Sequence, residues 1–362
     1  MAANFLPHLE RLEAVAISQA GLIAVGGRRD GDAPTSVHVA TLPKVESPIS
    51  LETGEAVLAL AFVGEVLCAG DSKGHIHLWD GAKKLKSLGS VQHHKGAIRA
   101  LIAVGNQLGS VGDDGVFRLA KLTASGLGAA SELALSKRSL RAITFDAGAG
   151  DEDLGAVAVA VGGDDGIVRS FFAKADGAPR EMDMGAAVTA LAFLGDGRIA
   201  AGCADGSLRF AFLEGAAEPE ERSKDAAHEG AIRSLIYSAQ LYDVAKRPLG
   251  RRLLSVAEDG DIKAWQVDSK RKPPTLKVSQ KALTGAVLIP GNPKAKGDKR
   301  GGTLAVVDRR RTLSLLTVDQ EGKVSDSISR VQSRFEELAG LVKSRKDDVR
   351  IGALSDLGKL AE

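Results

Sequence analysis

Aromatic side chains make up only 4% of the 362 residues, so the interior has to be filled by Ala, Val, Leu and Ile. Cysteine is scarcer still. Cys68 and Cys203 each lie in an apolar run with small neighbours, which disfavours a disulfide-stapled or Cys-rich metal fold and reads as two buried, reduced thiols. The first residues, MAANFLPHLERLE, lack the apolar core of a secretory signal. The most apolar stretch, Ala56–Gly70, contains Glu65 and is shorter than a membrane span. A cytoplasmic location is therefore expected. Charge of one sign is also missing: 48 Lys and Arg against 46 Asp and Glu leave a net +2, with no global attraction to nucleic acid or an anionic membrane. Catalytic signatures are lacking as well, with no G-x-S-x-G, H-E-x-x-H, P-loop or Cys-x-x-Cys. No enzyme and no cofactor is expected.

Glycine is abundant, at 42 residues, which suits a chain of many tight turns. It sits inside a repeat. Residues 56–81, 96–122, 140–172, 187–213 and 230–267 each show a short apolar run, a turn, a second run ending in small residues, a glycine turn and an alternating run. A more polar fourth run follows in most units, such as Lys84–Val91, Glu132–Ser136 and Thr275–Ser279, as an edge strand facing water requires. The turn glycines Gly74, Gly115, Gly166, Gly206 and Gly260 fall near forty residues apart, or farther where polar loops such as 146–154 and 238–251 intervene. Two weaker units, 14–42 and 285–318, bring the count to seven. Four strands per forty-residue unit is the period of a propeller blade. The expected fold is all-β: a seven-bladed β-propeller of four-stranded antiparallel sheets over residues 1–322, with a solenoid of β-meanders as the competing architecture. Either 6–12 or 323–327 supplies the strand that completes the last sheet.

Within these units the chain resembles WD-repeat propellers. The resemblance spans roughly residues 10–320 and is fullest in the sixth unit, where His228, Ser255, Asp259 and Trp265 match the family's structural hydrogen-bond network. The third unit keeps His94, Ser110 and Asp114 but has Ala120 in the Trp position. The second keeps Trp79–Asp80, with Lys73 and Ala69 replacing Asp and Ser, and the fourth and fifth keep only Asp165 and Asp205. The resemblance implies a non-catalytic scaffold that binds protein partners.

Past Gly322 the pattern turns helical. Ile328, Val331, Phe335, Leu338, Leu341 and Val342 share one helical face. The following DDVRIGALSDLGKLAE resembles the second helix of a HEAT repeat at Asp348, Val349, Arg350, Ala353, Leu357 and Gly358. A short α-helical hairpin over 323–362 is expected. Its apolar face packs on the propeller, on a partner or on further repeats.

Two features are candidate binding sites. Arg99, Arg141 and Arg233 each follow the first apolar residue of an inner strand, a position the resemblance places near the channel mouth. They form either a cationic rim for carboxylates or phosphates, or pairs each with a neighbouring blade's turn carboxylate, such as Asp114, Asp165 or Asp259. The second is the basic run of Lys294, Lys296, Lys299, Arg300, Arg309, Arg310 and Arg311, seven positive charges against Asp298 and Asp308. It reads as a solvated loop or as a polyanion or nucleic-acid contact, although the aromatics of single-strand binders are missing. His75 and His77 have no Cys or carboxylate at metal-ligand spacing, so no metal site is expected.

Overall fold

The computed structural model describes residues 11–331 apart from 29–34, 43–47, 147–156, 173–177, 196, 213–219, 222–226, 239–251, 268, 270–271, 291–299, 310–311 and 320–323. Seven four-stranded antiparallel sheets follow one another along the chain. Their innermost strands are Arg11–Ile17, Val57–Val63, Ile98–Val104, Leu140–Phe145, Val188–Phe193, Ile232–Ser238 and Leu283–Pro290. Each touches the next, and the last touches the first, so the sheets are the blades of a closed ring.

A β-bulge recurs at the head of every blade. The innermost strand slips register by one residue against the second strand, between Leu12 and Ala14 in blade 1 and at the equivalent place in the other six. One inserted residue reverses the alternation of side chains. Ile98, before the bulge, therefore packs with blade 2, whereas Ala100, after it, packs with blade 4. In the same way Val188 joins the blade 4 cluster and Ala190 the blade 6 cluster.

This reversal builds the seams between blades. The small residue after the bulge pairs with a residue of the second strand, and the two make a pocket for the first inner residue of the next blade. Ala14 with Gly26 receives Val57, Ala59 with Gly70 receives Ile98, Ala142 with Gly162 receives Val188, and Ala190 with Gly202 receives Ile232. The fit is close: a Cβ on Gly70 or Gly202 would lie 2.6 Å from a Cγ2 of Ile98 or Ile232. In the other three seams Val replaces Gly and Leu replaces the β-branched residue. Val111 meets Leu140, Val256 meets Leu283, and Val307 meets Leu12. A core poor in aromatics thus closes by matching small residues to branched ones.

The last seam, between blades 7 and 1, uses the same device. Among the described residues no strand is exchanged across it. Val324–Val331 is the outer strand of blade 7, paired with Leu313–Asp319, and Arg11–Ile17 is the innermost strand of blade 1. Thr284 Oγ1 donates across the seam to the Leu12 carbonyl at 2.7 Å, as Thr189 Oγ1 donates to the Ile232 carbonyl at 2.6 Å between blades 5 and 6.

The strand Val324–Val331 corrects the helical reading of Ile328 and Val331 and carries the last blade past residue 322. Alternating Ser325, Ser327 and Ser329 suit a polar edge strand, and the pairing satisfies backbone groups that the third strand would otherwise leave open. No α-helix occurs among the described residues. The remainder of the expected hairpin, residues 332–362, lies outside them.

Gly70→Ala is predicted to lower stability by about 1–3 kcal/mol through overpacking against Ile98. Gly70→Val combined with Ile98→Leu, which imitates the blade 3–4 seam, is expected to cost at least about 1 kcal/mol less than the sum of the two single changes. Denaturant midpoints check this, and strict additivity would contradict it.

Candidate functional site

The described turns between second and third strands emerge on one face, where two sets of polar residues meet. The first holds the turns themselves. In blade 6, Trp265 Nε1 donates to Ser255 Oγ (2.8 Å), Ser255 Oγ lies 2.7 Å from His228 Nε2, and His228 Nδ1 lies 2.9 Å from Asp259 Oδ2. Hydrogen-bond logic assigns the tautomer: the hydroxyl gives its proton to Nε2, so Nδ1–H donates to the carboxylate. Blade 3 has the same contacts in Ser110, His94 and Asp114, both at 2.8 Å, but here Arg118 Nη1 also lies 2.7 Å from His94 Nδ1 and no Trp fixes the direction of the hydroxyl.

Blade 3 has Ala120 in the Trp position, and Arg118 extends its network on another side. The guanidinium is almost fully buried and bonds Asp114 at 2.8 Å and Glu132 of the outer strand at 2.9 Å. Blade 4 has the same triad in Asp165, Arg169 and Glu181, both contacts at 2.7 Å. Ser136 of blade 4 and Ser279 of blade 7 stand where His94 and His228 stand, and donate to Asp165 (2.7 Å) and Asp308 (2.9 Å). In blade 2, where Lys73 occupies the usual Asp position, Asp71 accepts from the Lys73 and His75 amides and contacts His77 Nε2 at 3.0 Å. These substitutes were missed in the sequence. Their signal is an Asp-Gly-x-x-Arg/Lys spacing, present at 114–118, 165–169, 205–209 and 259–263.

Burial sets the titration of this layer. Burial tends to raise Asp114, but bonds from His94, the Lys95 amide and Arg118 outweigh it and hold the carboxyl at about 2. Burial lowers His94 and His228, and their Asp partners recover only part of the loss. His93, buried beside His94 and Arg118, is pushed down to about 4. Below the surface, burial drives the Cys68 thiol up to about 12; Cys68 and Cys203 are both buried and neither is in a disulfide.

The second set lines the central channel, a cavity of about 480 Å³ bounded by all seven blades. Its mouth is made by the bulge residues Glu13, Leu58, Arg99, Arg141, Thr189, Arg233 and Thr284. A bulge re-aims the side chain it displaces, so seven sequence-distant positions converge here. Arg99, Arg141 and Arg233 do meet at one mouth. Each is paired within its own blade, to the residue before the turn Asp rather than to Asp114, Asp165 or Asp259. Arg99 makes a two-point contact with Asp113 at 2.7 Å for each bond. Arg141 grips Asp164 in the same way, and Arg233 holds Glu258 at 2.6 and 3.0 Å. The two acids of each Asp-Asp turn thus divide their work: Asp113 and Asp164 face the channel arginines, while Asp114 and Asp165 hold the turn.

Arg309 also reaches the mouth, and bonds Glu258 of the neighbouring blade. Blade 1 inverts the pattern: Glu13 occupies the bulge and Arg28 the end of the second strand, 3.3 Å apart, with Arg11 3.8 Å from the same carboxylate. Lys299, Arg310 and Arg311 lie outside the described residues, as does the side chain of Arg300.

The family model of the WD domain, G-beta repeat, matches residues 183–210, the end of blade 4 and most of blade 5. The match and the seven four-stranded blades together support placing the chain with WD-repeat propellers. The fullest polar network lies elsewhere, in blade 6. No curated protein was found to match the chain.

Ser255→Ala strands two buried groups, Trp265 Nε1 and His228 Nε2, and is predicted to cost about 2–3 kcal/mol. Ser110→Ala strands only His94 Nε2 and is predicted to cost about 1–2 kcal/mol. Urea titrations rank the two.

Acid should destabilise the fold in two stages. With folded-state values below the ordinary 6.5, His93, His94 and His228 bind protons in the unfolded chain first, so stability falls as pH drops below about 6.5. Asp114, held near 2 against an ordinary 3.8, adds a second loss as pH falls below about 4 toward 2. Melting temperatures from pH 8 to pH 3 check both stages, and His94→Gln with His228→Gln should reduce the first, leaving the share of His93.

Proposed function

We propose that this chain is a non-catalytic protein-interaction scaffold, working in the cytoplasm, whose partner seats on the turn face around the channel mouth. The observation that carries this reading is the ring of seven bulge residues, which gathers Arg99, Arg141 and Arg233 with their acids and Arg309 on one rigid rim. Charged groups held in place by short turns and paired neighbours lose little freedom on binding, and mixed-sign rims confer specificity and orientation. No helix among the described residues is long and apolar enough to cross a membrane. The tail, read from sequence as a helical hairpin over 323–362 although Val324–Val331 is a strand, is proposed as a second partner contact.

A second reading is polyanion or nucleic-acid binding through the basic run, with Lys299, Arg300, Arg309, Arg310 and Arg311 as the contacts. Its support is the concentration of positive charge in residues 294–311.

One set of experiments separates the two. Affinity capture from the source cells, followed by mass spectrometry, is expected to return a stoichiometric protein partner. Arg141→Glu should release it, and Lys86→Glu on an outer strand should not. A monomer with no partner contradicts the scaffold reading. Salt-dependent retention on heparin that disappears on charge reversal of Arg309, Arg310 and Arg311 supports the second reading.

A further inference from the structure

The charges of the channel mouth do not balance, and the imbalance lies on one side. Blades 3 and 4 pair one guanidinium with one carboxylate, Arg99 with Asp113 and Arg141 with Asp164. Blades 2 and 5 place the uncharged Leu58 and Thr189 at the bulge. On the remaining arc the arginines are in excess. Arg233 and Arg309 share the single carboxylate of Glu258, and Arg11 and Arg28 share that of Glu13. Arg11 and Arg28 are also direct cross-strand partners, an arrangement in which like charges repel. Blades 6, 7 and 1 are neighbours around the ring, so the described residues leave two positive charges on one continuous arc.

Three of these four arginines are also the most open; Arg233, at 31%, is as covered as Arg141. The side chains of Arg11, Arg28 and Arg309 are 44%, 46% and 39% exposed, against 26% for Arg99 and 32% for Arg141. Arg309 Nε is buried without a hydrogen-bond partner, a donor that the fold leaves unused.

We propose that this arc binds an acidic segment of the partner protein, with the segment's carboxylates completing the half-satisfied pairs at Glu13 and Glu258. The proposal rests on the scaffold reading and names the chemistry of its partner. A planar guanidinium matches a carboxylate in two-point geometry, as Arg99 and Asp113 already show at this mouth. A polyphosphate or nucleic-acid strand fits less well. Glu13 and Glu258 remain beside the ligand and repel a densely charged chain, and the described channel lining has neither lysine nor an aromatic ring on which a base could stack.

The test uses the full chain and fluorescein-labelled hexaglutamate, followed by fluorescence anisotropy at low salt, with inorganic phosphate and a dodecathymidine strand as competitors. Saturable binding is expected, weakened at least tenfold by Arg11→Gln with Arg309→Gln and less than twofold by Lys86→Gln with Lys121→Gln, two exposed residues outside the channel lining. Melting curves establish that each variant folds, and Arg28→Gln replaces the first pair should it fail to fold. No saturable binding, equal weakening by both pairs, or displacement more readily by phosphate or the oligonucleotide than by unlabelled hexaglutamate overturns the proposal. Retention of a captured protein partner by the Arg11→Gln, Arg309→Gln chain also overturns it while leaving the scaffold reading intact, whereas failure to capture any partner tells against that reading itself.

Discussion

Everything in this ring depends on one packing contact, repeated seven times: the first residue of an inner strand set into a pocket on the preceding blade. The contact constrains its neighbours in sequence. Each inner strand has to fill the seam behind it and also provide half the pocket ahead of it. A regular strand would send both residues to the same side. The bulge resolves the conflict by reversing the alternation between Ile98 and Ala100, or between Val188 and Ala190. The residue left between them belongs to neither apolar pack and lines the channel, from where Thr189 and Thr284 also reach a carbonyl across a seam. The mouth, with its arginines and acids, is in this sense a consequence of closing the ring.

The polar layer above the seams tolerates more variety. The Trp265–Ser255–His228–Asp259 chain of blade 6 is one way to satisfy a turn carboxylate. Arg118 with Glu132, Arg169 with Glu181, Ser136 and Ser279 are others. What these share is that the buried carboxylate accepts enough hydrogen bonds to remain ionised. Two turn glycines show how tightly the layer fits the seams. Gly115 and Gly206 adopt positive φ, and a Cβ on either would fall within about 2 Å of a carbonyl oxygen, that of Ser136 or of His228.

Much of the fold was legible because its signals are local. Strand length, turn glycines and the forty-residue period sufficed for seven four-stranded blades, and the networks of His94 and His228 sit on the residues that the family resemblance singled out. The outer strand of blade 7 was misread because Ile328 and Val331 also satisfy a helical spacing, and only pairing with Leu316 and Leu313 distinguishes the two. The arginines of the mouth could be picked out as a recurring position. Their acids could not, since a one-residue bulge decides whether Asp113 or Asp114 faces Arg99. Nor did Glu13, Leu58, Thr189 and Thr284 stand out as the same position, because their side chains have no chemistry in common. The equivalence is one of register.

The seam between blades 7 and 1 bears on the whole account, since it joins the two ends of the described chain by packing and one Thr284–Leu12 hydrogen bond. Native-state hydrogen exchange is the direct measurement. If the seven seams are equivalent, the amides of Arg11–Ile17 and Leu283–Pro290 exchange as slowly as those of Val188–Phe193 and Ile232–Ser238. Fast exchange confined to the first pair of strands, with the second pair protected, would contradict a ring closed by seven like contacts.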